Sequence, residues 1–537
     1  MSRELASAFP AAGSIPEQWR PAVDEVGRTL LLDGEVSLFE GARAGMLSPV
    51  HTRGTGGGLE PVALGPAARA GEPEGRRALD AAVRAWGDGR GDWPRASLQE
   101  RIRCVLDFVK RAEPLREPVA RALLWEVGKP WADSLKEFDR TLDYIRETVE
   151  ALLDVERSAA RGVRAGGFEA RVRRAPLGVA LCLGPYNYAV NEVFTLVIPA
   201  LIMGNPVVVK TPRYGVRANA LLASALAGAF PAGSVGLVTG DGPALVGPMM
   251  ESGSVDVLAL IGSHRTAQVL LRQHPHPYRL RSVLGMGAKN PAIVLEDADL
   301  DAAAPEIVSG ALTFNGQRCT AIKLVLAQRR VADALVERLA AEVESLKVGM
   351  PWEGGVAITP LPDPERPAYL EGLVEDALAG GARVVNRGGG ERAATLFRPA
   401  LVYPVASGAK LHSVEQFGPI LPVATFDEPE EALGVLERSP FGQQASVFGR
   451  DPAVVGPLVD HLANLVCRVN LNAQCRRGPD VLPFTGRKDS AAGTLSVTDA
   501  LRVFSIRSLV AERDGEGMLE ALAGTSTFLE QPGPEGG

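Results

Sequence analysis

Between Pro176 and Ser263 one pattern recurs: a short apolar run, a turn rich in glycine, asparagine or proline, then a longer apolar or amphipathic segment. Pro176–Leu183 reads as a buried strand, Val193–Met203 as a helix broken by Gly204-Asn205-Pro206, and Val207–Lys210 as the next strand. A helix through Asn219–Phe230, a strand at Ser234–Val238, a helix after Gly242, a strand at Val255–Ile261 and a further helix opened by Gly262-Ser263 continue the alternation. Strand, helix, strand is a parallel crossover unit, so the expected fold class is α/β with a doubly wound parallel sheet. Ligands of such sheets lie beyond the carboxyl ends of the strands, which puts Asn187, Lys210 and Ser263 on one rim. Gly240-x-Gly242-x-x-x-x-Gly247 lacks the spacing of the dinucleotide fingerprint and by itself says little about a nucleotide.

A chain of 537 residues exceeds one ordinary core, and a second alternating block from Ala292 past Lys323–Ala327 to the turn at Phe417 predicts a second α/β domain. Before these blocks, residues 1–75 are rich in Gly, Pro and charge and read as an irregular, surface-wrapping segment. Arg76–Leu153 has helical periodicity, with Ser97 and Glu100 in capping-box positions. Residues 160–174 alternate basic and apolar residues as an exposed strand would, and Leu495–Leu509 ends in a strand-like VFSIRSLV. After Glu512 the Gly-, Pro- and Glu-rich tail is expected to fray.

A net charge of −7 provides no footprint for nucleic acid or an anionic membrane surface. Five cysteines, at 104, 182, 319, 467 and 475, have neither disulfide-scaffold density nor metal-ligand spacing, so no metal site is expected. No leader-like or membrane-spanning apolar run is read, which makes the cytoplasm the expected compartment.

Against this background Phe314-Asn-Gly-Gln-Arg-Cys-Thr320 presents one cysteine, Cys319, among small and polar residues with Arg318 beside it. A free cysteine is ordinarily a small buried residue. A cation next to it is also what favours a nucleophilic thiolate.

GPYNYAVN, GNPVVVKTP, FNGQRCT and EQFGP, in this order and at these separations, resemble the aldehyde dehydrogenase superfamily over nearly the whole chain. PFTGRKDS, TLSVTDALR and the long opening segment look closer to the non-phosphorylating, NADP-dependent glyceraldehyde-3-phosphate dehydrogenases. The resemblance implies two doubly wound domains and a small oligomerisation β element: residues 1–158 and 176–284 for cofactor, 285–488 for catalysis, 159–175 and 489–515 for pairing, and 516–537 as a flexible tail. It implies that Cys319 attacks the aldehyde carbonyl, that Asn187 donates to the oxyanion, and that a thioester forms once hydride has left. It further implies Lys210, Gly262, Ser263, Glu415 and Phe417 at the cofactor, and Arg140, Tyr188, Arg318 and Arg477 at the substrate's phosphate and hydroxyl. Arg213 stands where NAD-preferring relatives carry a carboxylate, and a guanidinium there pairs with a 2′-phosphate, so NADP is the expected cofactor, with NAD as the alternative. The implied partners are a small, phosphorylated or otherwise anionic aldehyde and further copies of the chain, as dimer or tetramer. Acyl transfer to coenzyme A, or a binding or structural role, remain the alternatives to hydrolysis.

The chain departs from the family at one place. The glutamate that serves as general base in Glu-Leu-Gly-Gly-Lys aligns with Gly285, and the position used by some close relatives aligns with Gly287. A positioned base contributes roughly 10²–10⁴-fold, so deacylation is expected to be slow relative to hydride transfer, with Glu192 and Glu415 as the nearby carboxylates.

Overall fold

A computed structural model describes residues 2–54, 56–159, 162–522 and 524–529. Its centre is an eight-stranded sheet. Five parallel strands run across it in the order Val235–Val238, Val207–Lys210, Ala180–Leu183, Val257–Ile261 and Arg281–Gly285. Their uninterrupted apolar sequences have a simple cause, since both faces are covered. Ala180, Cys182, Val207, Val209, Val257 and Ala259 enter one core, and Leu181, Leu183, Val208, Leu258 and Leu260 enter the opposite one.

The second sheet has seven strands, ordered Arg383–Val384, Ala400–Tyr403, Ile420–Phe426, Ile322–Gln328, Asn290–Val294, Gln444–Phe448 and Arg468–Leu471. All are parallel except the outermost Arg383–Val384. The same alternation divides its residues, with Ala292, Val294 and Val325 on one face and Ile293, Leu324 and Leu326 on the other. A third sheet pairs Ser505–Arg513 with Phe168–Pro176 and the latter with Val163–Ala165, all antiparallel.

The opening segment is more ordered than its composition suggests. Thr29–Leu32 and Glu35–Leu38 form a hairpin on the edge of the first sheet, and Arg43–Arg53 pairs with Leu59–Ala68 as a second hairpin. Edge strands and bulged hairpins tolerate glycine and proline, which hid them in the sequence. The helical stretch resolves into Glu72–Trp86, Leu98–Ala112, Arg116–Val127 and Trp131–Ala159. Ser97 caps the second of these, its Oγ accepting the Glu100 N–H at 3.1 Å.

Residues 495–509 also differ from expectation. Val497–Val503 is a helix, burying Val497, Ala500 and Leu501 at helical spacing, and the strand begins only at Ser505. Within 489–515, Ser505–Arg513 joins the third sheet, whereas Ala491–Ala492 pairs with Leu284 and Gly285 in the first. Arg161 and residues 530–537 of the expected tail lie outside the described residues. No described helix is long and apolar enough to cross a membrane.

Candidate active site

The cysteine loop is held by its backbone. After helix Leu300–Leu312, Phe314, Asn315 and Gly316 all take positive φ, at 51°, 55° and 66°. Two consecutive non-glycine residues in this region are costly and persist only when their surroundings enforce them. Asn315 is wholly buried and clamped, its Oδ1 accepting the Thr359 N–H at 2.9 Å and its Nδ2 donating to Thr359 Oγ1 at 3.2 Å. A Cβ on Gly316 would lie 2.6 Å from the Gly418 carbonyl, so only glycine lets this loop meet the EQFGP turn. The loop delivers Cys319, part-buried, with its carbonyl held by Lys323 Nζ at 2.7 Å and Asn290 Nδ2 at 2.8 Å.

Asn187 comes from the first sheet, at the turn after Ala180–Leu183. Its Nδ2 donates to the Gln317 carbonyl at 2.8 Å, which joins it to the cysteine loop and leaves the second N–H of that amide available. The turn is fixed from behind by a fully buried ion pair, Lys129–Glu137. Lys129 Nζ also donates to the Asn187 carbonyl at 2.8 Å, and Glu137 Oε1 accepts the Val190 and Asn191 N–H groups. The half-buried Tyr188 ring lies over Lys129 Nζ at 4.0 Å and edge-on to Phe314. Gln317 Nε2 donates to the Tyr186 hydroxyl at 3.0 Å, while its buried Oε1 has no hydrogen-bond partner among the described residues.

Burial pushes the Cys319 thiol up and the Glu192 carboxylate adds to that, whereas Lys323, Arg477 and a hydrogen bond from Gln443 pull it down. The charge expected from Arg318 goes elsewhere: its Nη2 donates to the Ser309 and Gly310 carbonyls at 3.1 and 2.7 Å, and the cations acting on the thiol are Lys323 and Arg477. The negative end of helix Leu300–Leu312, where these carbonyls lie, attracts the guanidinium.

Arg140 and Arg477 meet at Asp480. Arg140 is bidentate to it at 3.0 and 2.8 Å, and Arg477 Nε reaches it at 3.2 Å. Arg477 is buried and also pairs with Glu192 Oε2 and donates to the Leu495 carbonyl, so the cluster carries two arginines and two carboxylates. Arg140 is the more open of the two arginines, its side chain 29 % exposed.

Glu415 and Phe417 lie across the loop. Glu415 Oε1 accepts the Ala288 N–H at 3.1 Å and pairs with Lys323 at 3.0 Å. Lys289 Nζ donates to the Val414 carbonyl and to Gln416 Oε1, both at 2.8 Å. Lys289 and Asn290 thus hold the Glu415 and Cys319 loops together, although no carboxylate precedes them. A Cβ on Gly287 would come 2.8 Å from Glu415 Oε2, whereas one on Gly285 would make only ordinary contacts from 3.4 Å outward.

Lys210 and Arg213 share the wall of a cavity of about 700 Å³ beyond the strand ends, closed on the far side by the Arg43–Ala68 hairpin. Burial lowers the Lys210 ammonium, which has no hydrogen-bond or ion-pair partner among the described residues. Arg213 stacks on Tyr214 at 5.3 Å and likewise makes no ion pair among the described residues. Two unpaired cations on one cavity fit a phosphorylated ribose. Asp241, on the same wall, caps the Ala244 N–H at 3.2 Å and faces Arg69 at 3.8 Å. Gly262 and Ser263 are not part of this wall; Ser263 caps the helix His264–Gln273 two strands away, its Oγ accepting the Thr266 N–H. A relay of rings, Arg213 on Tyr214, Tyr214 on Tyr186 and Tyr186 on Phe417, links the cavity to the cysteine loop.

Lys129, Glu137, Lys323, Gln443 and Asp480 were not singled out in the sequence. Each is a common polar residue that no motif marks, and its pairing, whether 3, 8 or 92 residues along the chain, is set by the fold.

An aldehyde dehydrogenase family model matches residues 62–509. The chain is 36 % identical over 412 residues to an NADP-dependent glyceraldehyde-3-phosphate dehydrogenase of Streptococcus equinus, covering 73 % of this chain and 84 % of that one. It is 32 % identical to the Triticum aestivum enzyme of the same name, covering 81 % and 86 %. Among solved structures, the NADP complex of the Bacillus halodurans C-125 NADP-dependent glyceraldehyde-3-phosphate dehydrogenase superimposes with a TM-score of 0.81 at 32 % identity, over 90 % of this chain and 99 % of that one. With Cys319 and Asn187 joined at one loop and this match running through both sheets, the chain belongs to the aldehyde dehydrogenase family and is an aldehyde oxidoreductase.

Proposed function

We propose that the protein oxidises an aldehyde to a carboxylic acid with NADP, glyceraldehyde 3-phosphate being the substrate to test first. The observation that carries this reading is the Asn187 amide tied to the cysteine loop with one N–H free. Cys319 Sγ adds to the aldehyde carbon, and the oxyanion is received by Asn187 Nδ2 and the Cys319 N–H. NADP, when bound, supplies the hydride acceptor. Lys210 would hold its adenosine ribose and Arg213 the 2′-phosphate, with Glu415 and Phe417 toward the nicotinamide end. Gly262 and Ser263 would meet the diphosphate at a helix start. Arg140, with Tyr188 and Arg477 behind it, would receive the distal anionic group of the aldehyde, the role also proposed for Arg318. The relatives' names support both cofactor and substrate. We also propose self-association through the strands Phe168–Pro176 and Ser505–Arg513.

Gly285 and Gly287 supply no carboxylate, so hydrolysis of the Cys319 thioester is the slower half-reaction in this reading. Mixing purified protein with glyceraldehyde 3-phosphate and NADP, without inorganic phosphate, is expected to release about one equivalent of reduced cofactor per Cys319 rapidly, then more slowly at steady state. Gly285→Glu, where a side chain has room, is expected to raise the slow phase, while Gly287→Glu would displace Glu415. Fast linear turnover that neither substitution alters would count against a slow deacylation. A steady state that depends on added coenzyme A would mark acyl transfer, and bound cofactor with no burst would mark a binding role.

A further inference from the structure

Resting on that reading of the reaction, we propose that Glu192 is the general base of deacylation, one carboxylate oxygen fixed by Arg477 and the other activating the water that attacks the Cys319 thioester. Glu192 occupies the first turn of helix Asn191–Ile202, five residues after Asn187 and on the same turn-and-helix unit that meets the cysteine loop. It is 6 % exposed, and its Oε2 is taken by Arg477 while Oε1 has no hydrogen-bond partner among the described residues. Of the charged groups that act on the thiol, Glu192 has the largest effect, ahead of Lys323 and Arg477. The competing carboxylate, Glu415, is held by Lys323 and the Ala288 N–H on Oε1 alone, which leaves its Oε2 open as well, but it is not among the main groups that act on the thiol. An ion pair in a buried wall is weak evidence for stability, because apolar residues of similar volume commonly serve as well. The neighbours Val193 and Phe194 are such residues, which makes a carboxylate at 192 a feature needing a chemical reason.

In the proposed step, the water oxygen bonds to the acyl carbon as one water proton passes to Glu192 Oε1. The oxyanion is held by Asn187 and the Cys319 N–H. Collapse of the tetrahedral adduct breaks the carbon–sulfur bond, returns its electron pair to sulfur, and the proton on Glu192 passes to the departing thiolate. The product acid ionises to solvent, so thioester and water become carboxylate, thiol and one proton. Arg477 aims the carboxylate, much as an orienting partner aims a catalytic base elsewhere.

The test is Glu192→Gln in the full-length protein, with wild type and Glu415→Gln alongside. The glutamine keeps the shape, and Arg477 keeps Asp480 and the Leu495 carbonyl. Acyl-enzyme formation, read as the burst, is expected to fall by less than ten-fold, while the steady state falls roughly 10²- to 10⁴-fold. Intact-mass measurement should show the acyl adduct accumulating on Cys319, and hydroxylamine, which attacks the thioester directly, should restore turnover. Alkylation of the free thiol should speed up at a given pH, since a carboxylate that raises it has gone. Glu192→Asp, the second variant should the glutamine fail to fold, is expected to retain an intermediate deacylation rate. Burst and steady state falling together, or the selective loss appearing in Glu415→Gln instead, would overturn the assignment of Glu192. A wild-type protein with no burst at all would defeat the parent reading rather than this one.

Discussion

At the residue scale, a side chain's role here depends on who holds it. Arg213 and Arg477 look alike in the sequence, yet Arg213 faces a cavity with no ion-pair partner among the described residues, and Arg477 is enclosed by Glu192 and Asp480. Arg213 is therefore the cation we propose as the one that discriminates between cofactors. A hydrogen bond to a charged group is worth roughly 1.5–3 kcal/mol, so Arg213→Glu is expected to weaken NADP binding by about ten- to a hundredfold, with NAD affected much less. Titrating both cofactors against both proteins checks it; unchanged NADP affinity would remove Arg213 from the site. The cysteine itself was legible as a candidate nucleophile. The cations that pull its thiol down were not, because Arg318 adjoins it in sequence but turns to the Ser309 and Gly310 carbonyls, while Lys323 and Arg477 act on it through space.

At the element scale, the last turn of the helix Arg116–Val127 carries Glu126, whose carboxylate accepts the Arg217 and Ala218 N–H groups at 3.1 and 3.2 Å and so caps the short helix Val216–Ala220. Glu126 also lies on the wall of the cavity that holds Lys210 and Arg213. Burial pushes its carboxyl from 4.5 up to about 7, against the pull of those N–H groups and of the Arg217 charge. The folded state therefore binds this proton more tightly than the unfolded one. Stability from this group is full below the unfolded value and is lost as pH rises from about 4.5 to 7, amounting to about 3 kcal/mol over the window at 1.36 kcal/mol per pH unit. Glu126→Gln should lack that loss. Denaturant melts at pH 5 and pH 7.5 are expected to show a larger drop for wild type than for the variant, and equal drops would refute it. The core strands were legible for a plain reason: buried on both faces, they read as continuous apolar runs. The helix Val497–Val503 was not, since a strand follows it within two residues and the apolar spacing of the two merges.

At the scale of the whole molecule, Ser505–Arg513 is the nine-residue edge of an antiparallel ribbon that also exposes Phe168 and Leu509, at 51 % and 62 %. An unpaired edge with apolar side chains invites another chain. If copies of the protein pair there, burying one leucine contributes about 1.5–3 kcal/mol, and Leu509→Asp should weaken association roughly ten-fold or more without altering the burst at Cys319. Light scattering across a dilution series measures this; an unchanged oligomer would exclude that edge. The sequence by itself determined the two α/β blocks, the cysteine loop and its asparagine, and the absence of a carboxylate at Gly285 and Gly287, because apolar runs, turns and ordered motifs are local and survive without coordinates. Only the tertiary structure decided which charges meet. Glu192 with Arg477, Lys129 with Glu137 and Lys323 with Glu415 are 285, 8 and 92 residues apart, and electrostatic energy depends on distance and burial in space, neither of which a linear spacing carries.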